Sequence, residues 1–275
     1  LDGFLFGVTI RRKDNMCKPA SFVITKDRIY WSKLSDSHED IISEFALNAD
    51  SIGGPNIVRV EIAPPNGNLS LPLKQWVYQL DQTDTPKWYD AKVAERECRA
   101  ELKAWKKQKL AGWKVKEAYN PVNPLLLELR AMENEKLKIL VAEWDSVWDS
   151  VRGSVRASVW DSVGASVWDS VWNSVWGSVW DSVRASVWGS VGGSVGGSVW
   201  NSVRAYCGGL FTNINGWKYA EELGPDPWRP LLTLWYAGYV PSFDGSTWRL
   251  HAGKDAKVVA QWTEEEIKAV IRKGG

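Results

Sequence analysis

Two α+β end domains flanking a β-solenoid is the fold class the sequence predicts, and three observations predict it. Short runs rich in Val, Ile and aromatic residues alternate with turn residues at both ends of the chain. Between Ser146 and Val203 the dipeptide Ser-Val recurs at every fourth position, fifteen times without exception. The residues that fill this array, Ser, Val, Asp, Trp and Gly, are mediocre or poor helix formers, and GSVGGSVGGSV sets glycine pairs in its interior.

Residues 1–118 read as a small α+β domain. FLFGVTIRR, ASFVITKDRIYW and NIVRVEIAPP are strand-like, with KDN and KD as turns. SDSHEDIISEFALN predicts a short helix capped by Ser35 or Ser37, with acids in its first turn. TPKWYDAKVAERECRAELKAWKKQKL predicts a longer one. There Ala91, Ala94, Cys98, Leu102 and Trp105 step by three or four and form one apolar stripe. Residues 119–144 read as a connecting helix that caps the array, with Asn123 as N-cap and Pro124 at the first helical position.

The array itself, residues 145–205, fixes Ser and Val and varies the other two letters. Asp, Asn, Ala or Gly precedes Ser, and Trp, Arg or Gly follows Val. Those alternatives are single-base neighbours in the genetic code, so the array grew by copying a twelve-base unit and drifting. On an α-helix a four-residue stripe winds round by about 40° per repeat. A β-helix-like solenoid with four residues per side, Val inward and a bend near Ser, accepts the period without winding. Sixteen residues per coil would alternate Trp with Gly or Arg along each column, relieving crowding between stacked strands. The solenoid is therefore the expectation, and a long α-helix its alternative.

Residues 206–275 return to ordinary globular sequence and read as an α/β module. PLLTLWYAG predicts a short helix stopped at Gly238. YVPSFDGSTWRLHAG predicts a hairpin turning at Asp244-Gly245, and KVVAQW a further strand. TEEEIKAVIRKGG predicts a final helix opened by a Thr263–Glu266 capping box.

Composition bounds the function. With 44% hydrophobic and 24% charged residues the chain is that of a globular protein, and a net charge of +1 gives no bulk attraction for nucleic acid. Cys17, Cys98 and Cys207 are scattered and odd in number, which predicts no disulfide framework and a reducing compartment. LDGFLFGVTI lacks the basic leader of a signal peptide, and no uncharged run reaches membrane-spanning length. Neither a cofactor nor a metal site is expected. His38 among acids reads as a solvated helix start, and His251 shares a strand face with Arg249 without a nucleophile. The run Lys103, Lys106, Lys107, Lys109, Lys114 and Lys116 reads as a solvated face near a helix C-terminus.

The candidate binding residues are those of the array: Trp148, Trp160, Trp168, Trp172, Trp176, Trp180, Trp188 and Trp200, with Arg152 and Arg184. Pointing outward, they make a ladder of aromatic faces and cations able to stack on a partner. Lying flat over a thin rod, the same indoles only cover its backbone.

The xSVx array followed by PWRPLLTLWYAGYVPSFDGSTWRLHAGKDAKVV resembles a group of uncharacterised proteins from bacteriophages and environmental microbes. These pair such arrays with a C-terminal LWxxGxVPSFDGxxWRLHxG module. The resemblance covers roughly the C-terminal half. It implies a viral or mobile-element origin, with a place in the host cytoplasm or the virion, and supplies no activity. The function expected is a non-enzymatic binding or structural protein that presents the Trp/Arg array to a protein or glycan partner, or to another protomer. One alternative is a phage accessory factor that recognises its target through the N-terminal domain and uses the repeat as spacer. The other is an enzyme with a site between the end domains, including Asp244, Arg249 and His251.

Overall fold

The computed structural model of this 275-residue chain describes residues 20–51, 54–163, 165–191, 196–214, 216–219, 222 and 224–274. The expected strand FLFGVTIRR and Cys17 lie outside the described residues.

A short hairpin opens the described chain: β1 (Ser21–Ile24) turns through Lys26-Asp27 into β2 (Ile29–Tyr30). Helix α1 (His38–Glu44) follows, and Ser37 caps it by accepting from the Asp40 N–H. A two-residue ribbon, β3 (Asp50–Ser51) and β4 (Gly54–Pro55), leads to β5 (Val58–Ala63), which pairs with β1 and with β6 (Val77–Leu80). The antiparallel sheet runs β2-β1-β5-β6. Phe22 lies opposite Val60 and Ile24 opposite Val58, so all four share one face. That face is covered by α2 (Ala91–Lys109) through Ala94, Cys98, Leu102 and Trp105. Val23, on the other face, packs with Ile41 of α1.

After α2 come α3 (Val115–Tyr119) and a single 3-10 turn, Pro124–Leu126, capped by Asn123. The expected cap is present, but no helix continues from it. The chain runs on without regular structure until α4 (Asn134–Asp145). Leu126 and Leu129 are therefore exposed rather than packed.

The array is not a solenoid. It forms α5 (Val151–Val163), α6 (Ala165–Val175), a π turn (Trp176–Trp180), α7 (Asp181–Val191) and α8 (Gly196–Gly208). Nor is it one long helix, because it doubles back. The Asn201 side chain donates to the Trp148 carbonyl, and a Cβ placed on Gly208 would fall 3.1 Å from Val155, so α8 runs parallel to α5. Arg204 sits over Trp172 while Trp200 touches Trp176 and Trp180, so α8 runs antiparallel to α6 and the π turn.

Packing decides what propensity argues against. Val151, Val155 and Val159, then Val171, Val175, Val179, Val183 and Val187, then Val199 and Val203 are all fully buried. The 40° winding that counted against a helix is harmless over segments of about three repeats. There the stripe drifts by roughly 120°, about the width of a buried helix face. Where α6 and α7 join without a break, the π turn holds more than four residues per turn and sets the stripe back. The fixed serines are small and polar in equal measure. Ser154, Ser158, Ser198 and Ser202 are buried. Ser202 bonds back to the Ser198 carbonyl, Ser158 accepts from the Lys218 N–H, and Ser198 accepts from the Phe243 N–H.

The C-terminal part forms as its turn chemistry dictates. Helix α9 (Arg229–Tyr236) stops at Gly238, whose φ of 92° suits glycine. β7 (Tyr239–Phe243), β8 (Thr247–Ala252) and β9 (Lys257–Thr263) make an antiparallel meander turning at Gly245. The capping box of α10 (Glu264–Gly274) is reciprocal: Thr263 N–H donates to Glu266 and Glu266 N–H to Thr263 Oγ1. Trp113 stacks on Phe211 and bridges its backbone, joining the N-terminal part to the end of α8. Among the described residues no helix is long and apolar enough to cross a membrane.

Candidate functional site

Val and Trp are neighbours in the repeat, so burying Val places the indole beside the seam, about 100° round the helix. Residues four apart stack on one another. Trp168 lies 5.5 Å from Trp172, Trp172 5.2 Å from Trp176, and Trp176 4.7 Å from Trp180, centroid to centroid. The Arg184 guanidinium continues the column, 5.8 Å from the Trp180 ring and 5.9 Å from that of Trp188. From the facing helix Trp200 touches three rings, those of Trp172, Trp176 and Trp180, at 5.8, 4.6 and 5.2 Å.

The column is buried or half-buried except at one end. Trp168 and Trp180 are buried, Trp172, Trp176 and Trp200 half-buried, and Trp188 is 52% exposed with Arg184 exposed beside it. Trp148 does not belong to it: half-buried, it packs edge-on against Phe243 and Trp248 of the C-terminal sheet. The side chains of Trp160 and Arg152 lie outside the described residues. The indoles thus form neither an open ladder nor a flat cladding. Most of the column is interior, and its surface portion is the Arg184–Trp188 end.

Arg204 was not among the expected site residues, yet it lies 5.3 Å from the Trp172 ring and 5.1 Å from that of Trp200. Its place four residues after Trp200 is the signal that identifies it. Asp169, on the same stretch, has its carboxyl pKa raised by burial, against the opposing pull of Arg156.

The histidines correct two expectations. His38 is buried, not solvated: Nε2 donates to the Val60 carbonyl and Nδ1 lies 3.1 Å from Asp81. His251 does have a hydroxyl partner. Ser242 Oγ lies 2.8 Å from Nε2, and Nδ1 lies 2.8 Å from the Ala256 carbonyl. A carbonyl only accepts, so Nδ1 carries the proton and Ser242 donates to Nε2. Both side chains are fully buried. Desolvation lowers the His251 pKa, the Ala256 contact opposes that, and Arg249 adds to it. The ring is held neutral.

The lysine run is not uniformly solvated either. Lys109 is buried 3.7 Å from Asp36, and Lys106 lies over the Trp76 ring while donating to the Leu69 carbonyl. Lys114 sits over Tyr236, whose hydroxyl bonds Glu117 together with that of Tyr206. Among the described residues no group of three or more His, Cys, Asp and Glu side chains is placed to hold a metal.

No family model, curated protein or solved structure matches this chain.

Proposed function

We propose that the chain is a non-enzymatic binding protein whose helical repeat presents Arg184 and Trp188 to a partner protein or to a second copy of itself. One observation carries the proposal: a half-exposed indole and its guanidinium are held at the surface by a stack that continues into the core through Trp180. Trp and Arg are the side chains that most often dominate protein contacts, and one already ordered loses little entropy on docking. A phage or mobile-element origin belongs to the same proposal.

The test is sedimentation velocity of the intact chain over a wide concentration range, followed by a screen of immobilised glycans. Trp188→Ser should abolish whatever association is found, while Val77→Ser, another exposed apolar site, should leave it intact. Association indifferent to Trp188→Ser and Arg184→Ala sinks the proposal.

A second reading, an enzyme, is favoured by the Ser242–His251 pair, which has the hydroxyl-to-imidazole geometry of an activated nucleophile. Because both groups are sealed, it requires the Asp244-Gly245 hairpin to open. A fluorophosphonate probe would label the native protein and not Ser242→Ala; an unlabelled native protein rejects it.

A further inference from the structure

Away from the array, α4 and α10 pack side by side and leave a groove of about 530 Å³ between them. Its apolar surface comes from stripes that each helix only partly buries. On α4, Leu137, Val141 and Trp144 face the core, while Ile139 is 41% exposed in the groove. On α10, Ile267 is fully buried, and Ile271, one turn later on the same stripe, is 43% exposed. Ala142 lies on the floor between them.

The rim is acidic. Glu135 and Glu143 stand one turn before and one turn after Ile139, and Glu266 lies across the groove on α10. Lys138 is the one base among its described lining residues. Backbone groups in the walls are already bonded within the two helices, so the groove offers nothing to an extended strand. A helix, which satisfies its own backbone, meets no such deficit.

We infer that this groove receives an amphipathic helix of a partner protein. Its apolar side chains would meet Ile139, Ala142 and Ile271, and its Lys or Arg residues would face Glu135, Glu143 and Glu266. Charge is what selects the occupant. A second copy inserting its own α10 would bring Glu264, Glu265 and Glu266 with Lys268, Arg272 and Lys273, a segment of no net charge, whereas a basic helix is drawn to the acidic rim.

The probe is a fluorescein-labelled Leu/Lys peptide with leucines at i, i+3, i+4 and i+7, titrated against the intact chain by fluorescence polarisation. Two controls accompany it: the same composition scrambled, and a Leu/Glu peptide of the same pattern. The patterned Leu/Lys peptide should bind best. Ile139→Ser, Ile271→Ser and Glu143→Lys should each weaken it by about tenfold, the loss of one anchoring contact. These sites are exposed, so circular dichroism should show each variant folded, and Trp188→Ser should leave peptide binding unchanged. Equal binding of the scrambled or Leu/Glu peptide overturns the inference, as does indifference to Ile139→Ser and Ile271→Ser. Self-association of the chain that these same substitutions abolish assigns the groove to a second copy and overturns it too.

Discussion

Trp200 is the side chain on which the array closes, since it meets three indoles of the facing helix while Arg204 covers it. Trp200→Ala should therefore cost about 3 kcal/mol, as large-to-small changes at packed sites do, read from the urea midpoint. His251 gives the fold a pH dependence with a definite sign. Its folded pKa is lowered by burial, so below about pH 6.5 the unfolded chain binds the proton more readily. Stability contributed by the neutral ring is present above that pH and lost as pH falls through the folded value. Urea midpoints measured at falling pH should show this loss, and His251→Gln should flatten the slope whatever it does to overall stability. Asp244 acts at a lower pH. Burial disfavours its charge, but the bond from Arg249 and those from Thr247 and Ser246 outweigh that and hold the carboxyl well below the usual range. Its contribution is lost only below about pH 4. At this scale sequence was a good guide wherever chemistry is local. The Ser37 cap, the Thr263–Glu266 box and the turn at Gly245 each depend on residues within a few positions of one another. It was a poor guide to His38 and Lys109, because their carboxylate partners, Asp81 and Asp36, lie far along the chain.

Among elements, the array shows why propensity alone misdirects. Counting poor helix formers and the winding of a four-residue stripe favoured a solenoid, and both counts are correct for an isolated, unbroken helix. The array avoids the second by turning, or by resetting at the π turn, after about three repeats, and the first by burying every valine whose side chain is described. Two changes test this account. Gly189 lies in α7 with no atom within 4 Å of where a Cβ would stand, so Gly189→Ala should stabilise by roughly 0.5–1 kcal/mol in thermal or chemical unfolding. Deleting Gly177 from the π turn should do the reverse. It rotates Val183 and Val187 by about 100° out of the seam and should cost about 3–6 kcal/mol, an upper bound from the apolar area exposed. If the deletion is neutral by the same measurement, the π turn is not what keeps the seam aligned. The connecting segment carries a similar lesson. Asn123 and Pro124 start a turn as read, yet Tyr206 and Trp235 bind the backbone of Val122, and Arg130 N–H donates to the Ala237 carbonyl. Partners distant in sequence hold residues 127–133 out of a helix.

Over the whole molecule one cluster of buried residues runs from Phe22 of the first sheet, through the valine seam, to Ile267 of the last helix. Its optical signature follows. Most of the described indoles are buried or half-buried, so native emission should be blue-shifted and acrylamide should reach chiefly Trp188. Trp188→Phe should remove most of the readily quenched fraction; quenching that persists unchanged would mean the column opens in solution. Burial also raises the thiol pKa of Cys98, to about 12, and that of Cys207. The candidate site was half legible. The repeat marked the indoles that stack, but their i,i+4 contact follows only once the array is helical. Which indole reaches the surface depends on how the helices fold back, and nothing in a uniform repeat marks one copy as different from the next.

The parallel placement of α5 and α8 has a consequence for how such a protein changes over generations. The array departs from the rest of the molecule at Trp148 and returns at Asn201, and these two residues are hydrogen-bonded to each other. Everything between them is a detour whose two ends are clamped together. Copying errors in a twelve-base unit alter the length of that detour, not the distance between its ends. A gain in the outgoing arm matched by a gain in the returning one leaves the frame of sheets and caps where it was. Copy number is thus free to vary in matched increments, while the Arg–Trp pair stays near the base, where α7 lies against β9.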